Sequence, residues 1–176
     1  MTTKLLIILV LAIPTLAQKS VPEALAKHWK TSGEFTIAVA TTMPAESYNF
    51  RPNPEEMSFG QLMAHIAAVN LNACANASGL TKPALPPKIA EWAKETQKVE
   101  VDRDTAVSFL RDSFDFCDKA VAATTPERMD TVVGPANRNL TGFEWLWAYF
   151  THTAHHRGQA EVYLRVKGIK PPAYKF

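Results

Sequence analysis

From residue 22 onward the chain offers four stretches of helical length and no useful window in which apolar and polar residues alternate with period two. That pattern constrains the fold more than any other feature, because an amphipathic helix leaves an apolar stripe that must be covered by other helices. The first stretch covers residues 22–43. Pro22 is tolerated in its first turn, Leu25, Trp29, Phe35 and Val39 are its larger apolar residues, and Pro44 stops it. The second opens at Ser58 with Gln61 three residues on, a capping box in which each residue accepts from the other's backbone N–H. Phe59, Leu62, Ile66, Val69 and Ala73 then recur at spacings of three and four and form one apolar stripe, which ends near Gly79.

The third stretch starts near Asp102 or Asp104 and ends near Thr124, with Ala106, Leu110, Phe114, Cys117 and Val121 on one face. The fourth opens at Thr141, again with a glutamate three residues later (Glu144), and runs to about Lys167. Gly168 and Pro171-Pro172 close it. The loops are marked by proline: residues 44–57, residues 80–88 leading into a short turn through Ile89 and Trp92, and residues 125–140. Four helices of this length imply an all-α fold, a four-helix bundle.

Composition narrows the function classes. With 47% hydrophobic and 20% charged residues the 176-residue chain is no disordered segment. Nineteen basic residues against seventeen acidic ones, with no basic stripe, exclude a dedicated nucleic-acid binder. Residues 1–17 have the build of a secretory signal peptide: Lys4, an apolar run over residues 5–13, a break at Pro14, and small residues before the expected cut after Ala17. Nine apolar residues are too few to span a membrane, which takes about 20, so no stable membrane anchor is expected. Residues 18–176 then form the exported domain, with a formal charge of +1 once Lys4 is removed from +2. In an oxidising compartment Cys74 and Cys117 either pair or remain two small buried hydrophobes.

Three of the five histidines fall in the last helix: His152, His155 and His156. His152 and His156 stand one turn apart on a wide aromatic face with Trp145, Tyr149, Gln159 and Tyr163. Such a pair either shares a hydrogen bond or holds a metal ion from one rigid element. His65, on the second helix, flanks that helix's apolar stripe and can supply a third imidazole. No cysteine adjoins these three, so an open catalytic-type site is expected rather than a closed structural one. Zinc is the expected ion, with nickel, iron and manganese also served by imidazole. Because imidazole binds metal only when neutral, affinity is expected to fall below about pH 6.5.

For the remaining residues, His155 and Tyr149 are candidate proton carriers, Gln159 can only orient, and Glu144 is expected to be occupied as a cap. Arg157 lies about 100° around the helix from His156 and is expected to pair with a carboxylate or hold a neighbouring loop. Gly158 is expected to permit close helix approach. The aromatic residues Trp145, Trp147, Tyr149 and Phe150 are expected in the core.

The run from His152 to Gln159, HTAHHRGQ, resembles the HxxxHRGQ signature of the DinB/YfiT-like family. Residues 48–67, YNFRPNPEEMSFGQLMAHIA, resemble that family's second signature, with its single helix-borne histidine. The resemblance extends over essentially the whole mature chain. It implies an up-down-down-up four-helix bundle and a divalent metal held by His65, His152 and His156. His155 occupies a variable position of the signature and is not carried over. Relatives include thiol-dependent transferases and an isomerase. Low-molecular-weight thiol cofactors are cytosolic, so an export signal turns the expectation toward a metal-dependent hydrolase acting on a small molecule. A thiol S-transferase and a non-catalytic metal-binding bundle are the alternatives, and a homodimer is left open.

Overall fold

The computed structural model describes residues 20–96 and 98–175. Residues 1–17, expected to be a signal peptide, and the expected cut after Ala17 lie outside the described residues. Each long helix begins at a residue whose side chain takes up orphan N–H groups. Helix α1 (Val21–Thr42) starts from a capping box of Ser20 and Glu23. Helix α2 (Phe59–Ser78) starts from the expected box of Ser58 and Gln61, and ends at Gly79 with φ 78°, a left-handed cap that glycine adopts without strain. A short helix α3 (Pro87–Lys94) follows, then α4 (Arg103–Ala123), capped by Asp102, then the five-residue α5 (Pro126–Asp130). Helix α6 (Gly142–Val166) starts from the box of Thr141 and Glu144.

One feature of the loops differs from the sequence expectation. Residues 125–140 are not a plain loop but contain α5 and one arm of a two-residue hairpin, β1 (Val132–Val133) against β2 (Leu140–Thr141). Two paired residues per strand are too few to leave a period-two signal.

Helix directions follow from which residues meet. Arg103 at the start of α4 donates to the Thr41 carbonyl at the end of α1 (3.3 Å), so these two run antiparallel. Gly60 abuts the Val101 backbone near the start of α4, and Cys74 is bridged to Cys117 near its end, so α2 and α4 run parallel. A side chain at position 60 would collide with that carbonyl, which explains glycine there. Tyr163 donates to the Met57 carbonyl (3.0 Å) while Thr153 donates to Asn70 Oδ1 (3.0 Å), so α6 runs antiparallel to α2. The arrangement is up-down-down-up, with α2 and α1 each packed between α4 and α6. The parallel α2–α4 pair requires a crossover, which residues 79–102 and α3 provide.

The core is apolar: Trp29, Phe35, Val39, Leu62, Ile66, Leu110, Trp145 and Leu164 are all buried. Helix α2 is buried on more than one stripe, since Met63, Ala64, Ala67, Leu71 and Cys74 are covered as well. It lies between α4 and α6 and beneath the crossover, so no face is left to solvent along most of its length. Cys74 and Cys117 form a disulfide with Cα atoms 5.3 Å apart, which decides between the two readings of the cysteines. Among the described residues no helix is long and apolar enough to cross a membrane.

Candidate metal centre

The α2–α6 interface carries the three expected histidines. The Nε2 atom of His152 lies 3.2 Å from that of His65 and 3.0 Å from that of His156. The three residues offer ligand atoms all within 4.8 Å of one another, and among the described residues they are the only such cluster of histidine, cysteine or carboxylate side chains. Nitrogens bound to a tetrahedral ion at about 2.0–2.1 Å stand about 3.4 Å apart, close to what is observed. The helical phase therefore holds: His152 and His156 share a direction, while His155 is exposed and takes no part in the cluster.

Hydrogen-bond bookkeeping shows why the cluster suits a cation. Gln159 Oε1 lies 2.6 Å from His156 Nδ1 and can only accept there, so the proton sits on Nδ1 and Nε2 presents a lone pair. His152 Nε2 faces two imidazole nitrogens at once, and one ring N–H cannot satisfy both. Its other nitrogen, Nδ1, is buried without a partner. A shared cation accepts all three Nε2 lone pairs, which no assignment of protons achieves. The donor set thus fits a divalent ion, for which Gln159 would be the outer partner that orients His156.

Electrostatics point the same way. Burial lowers the His65 pKa to about 4, with the neighbouring His156 adding to the effect. Burial lowers His152 to about 4 as well, assisted by the three other histidines of the site region. His156 is also lowered, chiefly by burial, with the Gln159 hydrogen bond working against the shift. His65 and His152 therefore stay neutral well below pH 6.5. Proton competition for a metal is displaced downward from the ordinary histidine value that the sequence suggested.

The interface around the cluster is held by polar contacts. Thr153 to Asn70 and Tyr163 to the Met57 carbonyl fix α6 against α2 on either side of the histidines. Arg51 donates to Gln61 Oε1 (2.9 Å) and to the Glu56 carbonyl (2.9 Å), and pairs with Glu100, which pins the loop that leads into α2. That loop carries a residue the sequence reading passed over. The Glu56 carboxylate is exposed yet close enough to raise the pKa of both His156 and Tyr163. It lies in an irregular loop, so no helical period could have placed it beside the histidines. Tyr149 is also at the site, its ring 5.7 Å from that of His152 and stacked on Trp145.

Three other expectations are corrected. Arg157 pairs with no carboxylate among the described residues; its Nη1 donates instead to Ser32 Oγ (2.8 Å) and Thr36 Oγ1 (3.3 Å) on α1. The Phe35 ring lies 4.7 Å from the guanidinium. Gly158 faces open space and mediates no close approach, because it lies on the solvent side of α6. Trp147 is 52% exposed, stacked between Phe143 and Phe150 on the outside of the helix, whereas Trp145 is buried. Glu144 is occupied in the capping box, as expected.

Residues 28–160 match the DinB superfamily. No curated protein matches the sequence significantly. Among solved structures, a DinB-like protein from Bacillus cereus is 19% identical with a TM-score of 0.70, over 87% of this chain and 97% of that one. A DinB-like protein from Bacillus subtilis is 20% identical with a TM-score of 0.67, over 86% of this chain and 96% of that one. A conserved protein from Enterococcus faecalis is 17% identical with a TM-score of 0.64, over 85% and 98%. Sequence match, helix order and bundle geometry agree: the chain belongs to the DinB superfamily.

Proposed function

We propose that this protein is exported, holds a divalent metal ion through His65, His152 and His156, and hydrolyses a small molecule. The observation that carries the reading is the convergence of three Nε2 atoms without a fourth protein ligand among the described residues. Three neutral imidazoles around one ion leave a coordination position open, and the ion supplies Lewis acidity there, for activating water or polarising a carbonyl. Zinc suits the all-nitrogen donor set, and nickel, iron and manganese are the other ions imidazole serves.

The chain's own residues take the remaining roles. Gln159 holds His156 in the tautomer that presents Nε2. Glu56 is the carboxylate nearest in influence to His156 and can accept a proton at the mouth of the site. Tyr149 flanks His152 and offers a hydroxyl to orient a substrate. The disulfide supports export, since such bridges persist in oxidising compartments. It also weighs against thiol transfer, whose small thiol cofactors are cytosolic.

Metal analysis of protein purified without a metal-affinity column tests the first step. One equivalent of divalent metal, lost in His152→Ala, is expected. A screen of ester, amide and phosphoester substrates then tests the second, with turnover expected to require the metal and to drop in Glu56→Gln. Full metal loading with no turnover of any substrate class would leave a metal-binding bundle and overturn the hydrolase reading. N-terminal sequencing of exported protein tests the compartment, with Gln18 as the expected first residue.

A further inference from the structure

Arg157 is only 7% exposed, and no described carboxylate lies within ion-pairing distance of its guanidinium. Glu161, one turn further on, is paired with Arg165 (3.5 Å). A buried guanidinium is costly unless a counter-charge accompanies it. Its hydrogen bonds are also incomplete. Nη1 serves Ser32 and Thr36, while Nε and Nη2 donate to no described residue and neither is sealed from solvent. That unused edge is the one that receives a carboxylate side-on through two parallel N–H···O bonds.

Arg157 lines a cavity of about 110 Å³ between α1, α6 and the C-terminal tail, together with Thr31, Ser32, Ala154, Tyr174 and Lys175 among others. A water molecule claims roughly 30 Å³, so the space suits a group of a few heavy atoms. Its charge is also defined. Lys175 is paired with Glu34 (3.6 Å), and among the described residues no ion pair takes up the charge of Arg157, on which Glu161 acts only from a distance. A monoanion balances it. We propose that Arg157 and this cavity form a binding site for the carboxylate of a small organic acid, on the α1 side of α6, away from the α2-facing histidines. The site is separate from the histidines, because Arg157 reaches α1 and the histidines face α2.

Two-dimensional ¹H–¹⁵N spectra of the full chain test the site while sodium acetate replaces sodium chloride at constant ionic strength. The Arg157 Nε–Hε signal is expected to shift and saturate. The signal is assigned by its absence from Arg157→Lys, or through the Arg157 backbone if that variant does not fold. Ala154→Leu fills the cavity without touching the guanidinium, and is expected to abolish saturation while circular dichroism stays unchanged. A shift that grows linearly without saturating overturns the proposal. So does saturation that persists in Ala154→Leu, or saturation by phosphate at lower concentration than acetate.

Discussion

Helix α2 is gripped on two sides by different means. Toward α4 Gly60 abuts the Val101 backbone and Cys74 is cross-linked to Cys117, a parallel contact that is close and covalent. Toward α6 the contact is antiparallel and polar, built from His65, His152, His156, the Asn70–Thr153 hydrogen bond and the Tyr163–Met57 hydrogen bond. The first interface rests on packing and a covalent bond. The second leaves His152 Nδ1 and Asn70 Nδ2 buried without partners. Unsatisfied groups of this kind are tolerated where function needs them, while the covalent side keeps the helix in place.

The sharpest way to break the comparison is to remove a ligand. His65→Ala, His152→Ala and His156→Ala are each expected to lose nearly all metal affinity by isothermal titration, with the disulfide intact in every variant. Equal metal binding in any of the three would remove that residue from the centre. Next in size is the covalent side. The bridge closes a 43-residue separation, and the chain-entropy model gives about 4 kcal/mol for a loop of that length. Cys117→Ser is expected to lose up to that amount in denaturant unfolding, while folded protein keeps its metal affinity. A coupled loss of affinity would show the two interfaces to be one unit.

Acidification separates them further. His65 and His152 titrate at about 4 in the folded chain and at about 6.5 when unfolded, so the unfolded state binds more protons in between. Their contribution to stability is present above about pH 6.5 and is lost as pH falls through 4. Metal-free protein should therefore lose stability in urea over this window, and metal release should be centred below pH 6.5. Release centred at 6.5 would mean the imidazoles are not desolvated. Smaller again is Gln159→Ala, which frees the His156 tautomer and is expected to cost about 10–100-fold in metal affinity. The smallest effect belongs to His155→Ala, adjacent to His156 yet outside the cluster, where affinity should stay within about twofold.

Much of this architecture was legible in the residues. Capping boxes at Ser58 and Thr141 mark the starts of the two site helices to the residue, because the signal is local chemistry between positions three apart. The helical period alone puts His152 with His156 and sets His155 aside. What lay beyond the sequence has a common cause. Arg157 met hydroxyls rather than a carboxylate, and Trp147 faced solvent, because a period says which residues share a face and not which element covers it. Glu56 escaped for a related reason, since its loop has no period and is positioned by Arg51 reaching Gln61 and Glu100.

The order of residues alone set the four long helices, the starts of the two site helices, the all-α class and the shared face of His152 and His156, since each depends on contacts within a few residues. Tertiary structure alone decided the rest. It brought His65 within 3.2 Å of a residue 87 positions away, chose the bridged state of two cysteines 43 apart, and left Arg157 lining a cavity with no ion pair among the described residues. Those outcomes depend on distances between helices, which arise from the packing of the whole bundle and leave no local trace in the order of residues.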